Sequence, residues 1–315
     1  MEKKVLVTSR SFGQVSDEAV RLLNKAGIQI DYMVSNFVLD EFERKIPEYD
    51  ALIIGAHPFR PELFDTCPKL KIICKHGVGL DNIPVEAAHE AGVCVTNTPG
   101  TNSDAVADFA FALMLAVGRN LIYSVEEIKK GNVKPKYGND ICGKTLGLLG
   151  FGAIARRVAK RAFGFGMTVL AYDPYVAAAP EGLEQVKLCT LEEVLKESDY
   201  VSIHLPITPQ TRGMIGREAF EMMKTGARLI NTARGGIIDE DAVIEAVSSG
   251  KLAGAALDVL DTEPVAVDNP LLSTPGIIIT NHVASYSKEA LNAVSMICAN
   301  NVISCLEGRD VLYSV

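Results

Sequence analysis

The stretch "LGLLGFGAIARRVAKRAFGFGMTVLAYDP" (146–174) limits the possible folds more than any other part of the chain. An apolar run leads into Gly150-Phe151-Gly152, a pattern of helical period follows, and a second apolar run ends at Asp173. Strand, glycine turn, helix and strand in that order make a parallel βαβ unit. Gly150 suits the tight turn, and Gly152, lacking a Cβ, lets backbone approach a pyrophosphate. The helix opening at Ala153 and Ile154 then offers its unpaired N–H groups and positive dipole end to phosphates. Ala155 holds the third fingerprint position, where close helix–strand packing needs a small residue. Ile154, Ala155, Val158, Ala159, Ala162 and Phe163 form one stripe. Arg156, Arg157, Lys160 and Arg161 lie opposite and read as a solvated outer face. Asp173 can accept both ribose hydroxyls of a dinucleotide and would repel a 2′-phosphate, so the expected cofactor is NAD.

This unit begins only near residue 146, so another domain is expected before it. Strand-like runs there are "KVLVTS" (4–9), "IQIDYM" (28–33), "ALIIG" (51–55), "LKIICK" (70–75) and "VCVTN" (93–97). Ser16 reads as the N-cap of "DEAVRLLNKAG", and Gly27 as its stop. The second half carries about six strands, the number of a dinucleotide-binding domain: "TLGLLG" (145–150), "MTVLAYD" (167–173), "YVSIHL" (200–205), "ARLINT" (227–232), "AGAALDV" (253–259) and "GIIIT" (276–280). Thr190 and Glu193 have capping-box spacing, and "DEDAVIEAVSSG" (239–250) reads as a helix ending at a glycine. Strands alternating with helices mean parallel sheets covered on both faces. The expected class is α/β, with two doubly wound parallel-sheet domains. A flavodoxin-like substrate domain would comprise 1–98 plus 288–315. A Rossmann NAD-binding domain would comprise 99–287. The chain would cross twice, and a cleft between the domains is the expected ligand site.

Composition narrows the function. Hydrophobic residues make up 48% of the chain, enough for real cores, and the net charge of −8 argues against a nucleic-acid partner. The sequence contains no run of 18 apolar residues, so no membrane span is expected. The first residues lack the shape of a signal peptide. The seven cysteines are scattered without a C-x-x-C pair, which reads as buried reduced thiols in a cytoplasmic protein and not as a metal site.

Three residues follow the carboxyl ends of predicted strands, where ligands lie in open α/β sheets. They are Arg234 in "NTARGGIIDE", Glu263 in "DVLDTEP" and His282 in "ITNHVASYS". Reduction of a 2-keto acid needs a hydride, a proton for the carbonyl oxygen and a grip on the carboxylate. A histidine oriented by a carboxylate can deliver the proton. A guanidinium matches a carboxylate by its forked geometry. Taken singly, each residue also fits an ordinary loop histidine, surface carboxylate or ion pair.

The chain resembles the D-isomer-specific 2-hydroxyacid dehydrogenases over about residues 50 to 310. The motifs that carry the resemblance are "KHGVGLDNI" (75–83), "NTPGTNSDAVADFAFALML" (97–115), "GKTLGLLGFGAIA" (143–155), "HLPITPQTRGMI" (204–215), "NTARGGIIDE" (231–240), "ALDVLDTEP" (256–264) and "TNHVASYS" (280–287). The resemblance implies that Arg234 orients the substrate, Glu263 pairs with His282, and His282 is the acid/base. It implies that the backbone N–H groups of Val78 and Gly79 hold the substrate carboxylate. It places His204, Pro206, Thr211, Thr232, Asp258 and His282 along the NAD site with Gly150, Gly152, Ala153, Ile154 and Asp173. It implies a homodimer built on the dinucleotide-binding domains. The chain departs from the family at Asn281, where proline is usual, at Ala155, where glycine is usual, and in having no Trp upstream of "GKTLG". The last leaves "GNVKPKYGND" (131–140) without a reading. Glu263 argues against the related formate dehydrogenases, whose histidine partner is Gln.

The substrate is expected to be a small 2-hydroxy or 2-keto acid. His57, Arg60 and Lys75 are the candidate contacts to a second anionic group, since a positive cluster stands out in an acidic chain. That favours 3-phosphoglycerate/3-phosphohydroxypyruvate, with glyoxylate/hydroxypyruvate reduction as the alternative. An NAD-sensing co-repressor is the remote one, and such proteins often carry long partner-binding tails.

Overall fold

The computed structural model describes residues 3–35 and 37–315. The chain divides into two compact units, Met1–Asn102 with Tyr286–Val315, and Ser103–Ser285.

The first unit holds β1 (Lys3–Val7), β2 (Ile28–Tyr32), β3 (Ala51–Ile54), β4 (Ile72–Lys75) and β5 (Cys94–Thr96). They form one sheet in the order β2-β1-β3-β4-β5, and every pairing is parallel. Continuous apolar runs such as Ala51–Ile54 are buried throughout, as a strand covered on both faces requires. Helix Glu18–Lys25 starts one residue later than its sequence suggests: Asp17 is the N-cap, and Ser16 Oγ accepts the Glu18 N–H at 3.2 Å. Gly27 ends it at φ +70, where a side chain is disfavoured. Helix Lys288–Leu306 has the length and mean hydropathy (1.2) of a membrane span. Val294, Cys298, Ala299, Val302 and Ile303 are buried in the same core as Val5, Val7, Ile53 and Ile72, so its apolar face is covered by this sheet.

The second unit holds β6 (Thr145–Leu149), β7 (Thr168–Tyr172), β8 (Lys187–Leu188), β9 (Tyr200–Ile203), β10 (Ala227–Asn231), β11 (Leu252–Leu257) and β12 (Ile277–Ile279). Their order is β12-β11-β10-β9-β6-β7-β8, again all parallel. The sheet has seven strands where about six were expected; β8 is two residues long, too short to leave a periodic signature. Connections diverge between β6 and β9, and that reversal of strand order makes a crevice at the carboxyl ends of the strands.

Helix Ala153–Gly164 buries Ala155, Val158, Ala159 and Ala162. Its opposite face is not simply solvated: Arg157 and Arg161 form ion pairs with Asp104 and Asp108 of helix Ser103–Gly118. The small residues bring the two helices close enough for side chains at their rims to meet. Thr190 and Glu193 form a complete capping box. Beyond Gly118, Asn120 takes a left-handed conformation and a separate helix, Leu121–Lys129, follows with no buried residue. All seven cysteines are free, but Cys67, Cys74 and Cys298 alone are fully buried.

Two histidines are held uncharged. Desolvation pushes His76, in the first unit, and His204, in the second, down to about 4. His76 Nε2 lies 2.9 Å from Ser295 Oγ, whose own hydroxyl donates to Leu291 O at 2.8 Å. Nε2 is therefore the protonated nitrogen, and Nδ1 accepts from Ser9 at 3.0 Å. An unfolded histidine titrates near 6.5. Between that value and about 4 the unfolded chain binds more protons, so stability rises with pH through that window. The slope should be about 1.4 kcal/mol per pH unit per histidine. Denaturant midpoints measured from pH 7 to pH 4.5 should fall, and His76→Asn should flatten the fall. An unchanged slope in that variant would show that other groups carry the dependence.

Candidate active site

Gly150 and Gly152 do different jobs in the turn after β6. Gly150 has φ +90, and a Cβ there would lie 2.6 Å from the His204 carbonyl oxygen. That close approach follows from the pairing of β6 with β9, continued by His204 N–H to Leu149 O at 2.7 Å. Gly152 is the N-cap of helix Ala153–Gly164, in extended conformation with no side chain capping the helix. A Cβ added there meets nothing within 4 Å. The space is open, and the first N–H groups of a twelve-residue helix face it. Asp173, just past β7, accepts from Phe151 N at 2.8 Å and from Tyr175 N at 2.9 Å. Each carboxylate oxygen keeps lone-pair capacity for a further donor. Across the crevice, His204 Nδ1 and Thr232 Oγ1 are buried without a hydrogen-bond partner. Buried polar atoms are rarely left so, and a polar ligand would satisfy them. These residues fit a dinucleotide. Thr211 is occupied locally, with Oγ1 donating to Pro206 O at 2.7 Å.

A second group of residues is assembled by one buried carboxylate. Asp258, directly after β11, is 1% exposed. Its Oδ1 accepts from Thr280 Oγ1 at 2.6 Å and Val283 N at 2.9 Å, and its Oδ2 from Ala284 N at 2.9 Å. Its own carbonyl accepts His282 N–H at 2.9 Å, and its N–H donates to Asn231 O at 2.9 Å. His282 sits in this grip at φ +55, a conformation uncommon for any residue but glycine. Held so, its Nδ1 is 2.8 Å from Glu263 Oε2. A carboxylate only accepts, so Nδ1 carries the proton and Nε2 is the nitrogen left for chemistry. Glu263 Oε1 is fixed in turn by Leu260 N at 3.1 Å.

Arg234 follows β10 on a turn folded by the buried Asn231. The Asn231 side chain donates to Arg234 O at 2.9 Å and accepts from Ala233 N at 3.0 Å. Gly235 packs so tightly on Leu260 O that no Cβ fits there. Gly236 N donates to Asp261. A pocket of about 340 Å³ in this unit is lined by Arg234, Glu263 and His282, together with Ile207, Arg212 and Leu260 among others. Asn231 and Arg212 were not singled out from the sequence, although both stand inside motifs quoted above.

The first-unit candidates need correction. Arg60 is exposed and its guanidinium is taken by Glu43. His57 is not a cation near neutral pH: desolvation lowers it, and it stacks on Phe37 at 4.2 Å between centroids. Both its nitrogens are engaged, Nδ1 with Pro58 O at 3.1 Å and Nε2 with Thr8 Oγ1 at 2.7 Å. Lys75 Nζ donates to Gly55 O at 2.8 Å and Asn82 Oδ1 at 2.6 Å. Of the expected cluster, Arg60 is paired with Glu43 of helix Leu39–Lys45, His57 is uncharged, and the Lys75 ammonium is held by neighbouring loop acceptors. Val78 and Gly79 lie half-exposed in the loop after β4, with Val78 O accepting from Asn97 at 2.8 Å.

Comparisons with known proteins agree with this geometry. Residues 111–284 match the family model described as "D-isomer specific 2-hydroxyacid dehydrogenase, NAD binding domain". A D-3-phosphoglycerate dehydrogenase of Archaeoglobus fulgidus is 38% identical over 99% of this chain, which spans only 59% of that relative's length. A hydroxypyruvate reductase of Thermotoga maritima is 41% identical over 89% of this chain and 92% of its own. The crystal structure of the TT0316 protein from Thermus thermophilus superposes with a TM-score of 0.92 at 36% identity, covering 99% of each chain.

The two glycines should respond oppositely to a methyl group. Gly152→Ala should melt within a degree or two of the parent yet bind NADH at least tenfold more weakly, read by nicotinamide fluorescence. Gly150→Ala should destabilise the fold itself, by positive φ and by the clash with His204 O. Unweakened NADH binding in the folded Gly152→Ala protein would place the dinucleotide elsewhere.

Proposed function

Since the chain belongs to the D-isomer-specific 2-hydroxyacid dehydrogenases, we propose that it interconverts a small 2-hydroxy acid and its 2-keto acid with NAD. One observation supports this above the others: the Glu263–His282 pair, 2.8 Å apart, lines the same pocket as Arg234. Bound at Gly152 and Asp173, the dinucleotide would supply or accept the hydride. Arg234 holds the substrate carboxylate through its forked donors. In reduction, His282 Nε2–H gives its proton to the carbonyl oxygen as that oxygen becomes a hydroxyl. In oxidation, neutral Nε2 takes the hydroxyl proton. Glu263 keeps Nδ1 protonated and the ring aimed, and balances the positive charge of the imidazolium.

The substrate is 3-phosphoglycerate/3-phosphohydroxypyruvate in our preferred reading, following relatives such as the one from Archaeoglobus fulgidus. The loss of Arg60 to Glu43 favours the alternative, glyoxylate or hydroxypyruvate reduction, in line with the Thermotoga maritima relative. A panel of these keto acids with NADH tests the class and ranks the substrates. His282→Ala should lower kcat by about 10²- to 10⁴-fold, the range for a lost general acid, while NADH binding persists. Near-normal turnover in that variant would put the proton donor elsewhere.

The same reading includes a homodimer joined through the second unit. Helix Leu121–Lys129 exposes Leu121, Ile122, Tyr123, Val125 and Ile128, and the following segment exposes Val133 and Tyr137. Exposed apolar side chains in this number on one helix and the segment after it suit a partner chain. Ile128→Glu with Val125→Glu should give a monomer by light scattering, with the melting behaviour of each unit retained. A monomeric parent protein would remove the proposal.

A further inference from the structure

Two guanidiniums line the pocket that holds His282, and a 2-keto acid has one carboxylate for them. Arg212 stands in the loop after β9, and its place is set by backbone and hydroxyl bonds. Thr208 and Thr211 close a turn on each other, with Thr208 N to Thr211 Oγ1 at 2.8 Å and Arg212 N to Thr208 O at 3.0 Å. Gly213 N then donates to Gly236 O at 2.7 Å and Ile215 N to Ile237 O at 3.0 Å. These two bonds zip the loop onto the turn that carries Arg234. As a result Arg212 lies over Gly236: a Cβ on that glycine would be 3.0 Å from one guanidinium nitrogen.

Nothing among the described residues claims that charge. The Arg212 side chain makes no hydrogen bond or ion pair with them, and the two carboxylates of the pocket direct their hydrogen bonds elsewhere. Asp261 accepts Gly236 N–H, and Glu263 accepts Leu260 N–H and His282. Arg212 is exposed and its fork is free, so an anion entering the pocket beside Arg234 meets a second set of forked donors there. The anion is not expected to be the dinucleotide's pyrophosphate, since none of Gly150, Gly152 and Asp173 lines this pocket.

We propose that Arg212 reads a second anionic group, phosphate or carboxylate, on the C3 side of the 2-keto acid. The substrate class is then a 2-keto acid with two anionic ends. This rests on the pocket being the keto-acid site proposed above. It replaces Arg60 with a residue whose fork is uncommitted, and it needs no rearrangement, because the Thr208–Thr211 turn already presents the side chain.

Steady-state reduction by the full chain with NADH tests this on hydroxypyruvate, 3-phosphohydroxypyruvate and 2-ketoglutarate, which separate phosphate from carboxylate. The parent should favour one dianionic acid over hydroxypyruvate in kcat/KM. Arg212→Gln should cut that ratio at least tenfold, mainly through KM, and Arg212→Lys should recover part of it. Added salt should erode the ratio in the parent and leave it nearly flat in Arg212→Gln. An unchanged ratio overturns the proposal. So does a matching loss of NADH affinity by fluorescence, which would assign Arg212 to the cofactor. If the parent reduces neither these acids nor glyoxylate, the proposed activity fails, and calorimetry decides Arg212 separately. Weaker binding of 3-phosphoglycerate or D-malate to Arg212→Gln than to the parent supports an anion site there. Equal binding, or none, overturns it.

Discussion

The carboxylate of Asp258 is the constraint on which the catalytic geometry depends. It is almost wholly removed from solvent, and its charge is met by two backbone N–H groups and a threonine hydroxyl from one short segment, 280–284. A buried anion needs donors of this number and quality. The chain satisfies it by wrapping that segment around the end of β11. The wrapping leaves His282 in a left-handed conformation, and the Glu263 contact is made from there. Strain in the backbone and charge in the interior thus offset one another. The histidine is presented as a by-product of solvating an aspartate.

The same logic places the rest of the site. All seven strands of the second unit are parallel, so every strand delivers its following loop to one edge. Gly150, Asp173, His204, Thr232, Asp258 and His282 follow six different segments yet share that edge. The divergence between β6 and β9 opens the crevice there. Glycines are needed where backbones nearly touch, at Gly150 against His204 and at Gly235 against Leu260. Gly152 differs: its missing Cβ clears space for something outside the protein. Three glycines with one appearance in sequence therefore serve two purposes, and packing distinguishes them.

Charged side chains show how local competition decides a role. Arg60 and His57 follow β3 and invite an anion-binding story, yet Glu43, Thr8 and Phe37 engage them first. Arg157 and Arg161 look like a solvated face until Asp104 and Asp108 are folded beside them. Arg212 reads from sequence as one more loop cation. In the structure it lies in the pocket of His282 and has no partner among the described residues. Each of these outcomes depends on a residue far away in the chain, which periodicity and spacing do not locate.

The amino-acid sequence alone determined the α/β class, the parallel sheets and the strand–glycine–helix–strand–aspartate unit, because these arise from short-range patterns. Apolar runs, capping residues such as Thr190, and stop glycines such as Gly27 act within a few residues of one another. A strand of two residues, Lys187–Leu188, and a helix cap shifted from Ser16 to Asp17 lay below that resolution. Arg234, Glu263 and His282 could be named from motifs, but their joint geometry could not. Asp258 appeared in sequence as one more residue of a motif. Only the tertiary structure shows that its burial sets the His282 backbone, that Glu263 fixes the ring, and that Arg212 keeps an uncommitted charge. Burial and long-range pairing decide what a titratable side chain has left to offer, and both exist only once the sheets are assembled.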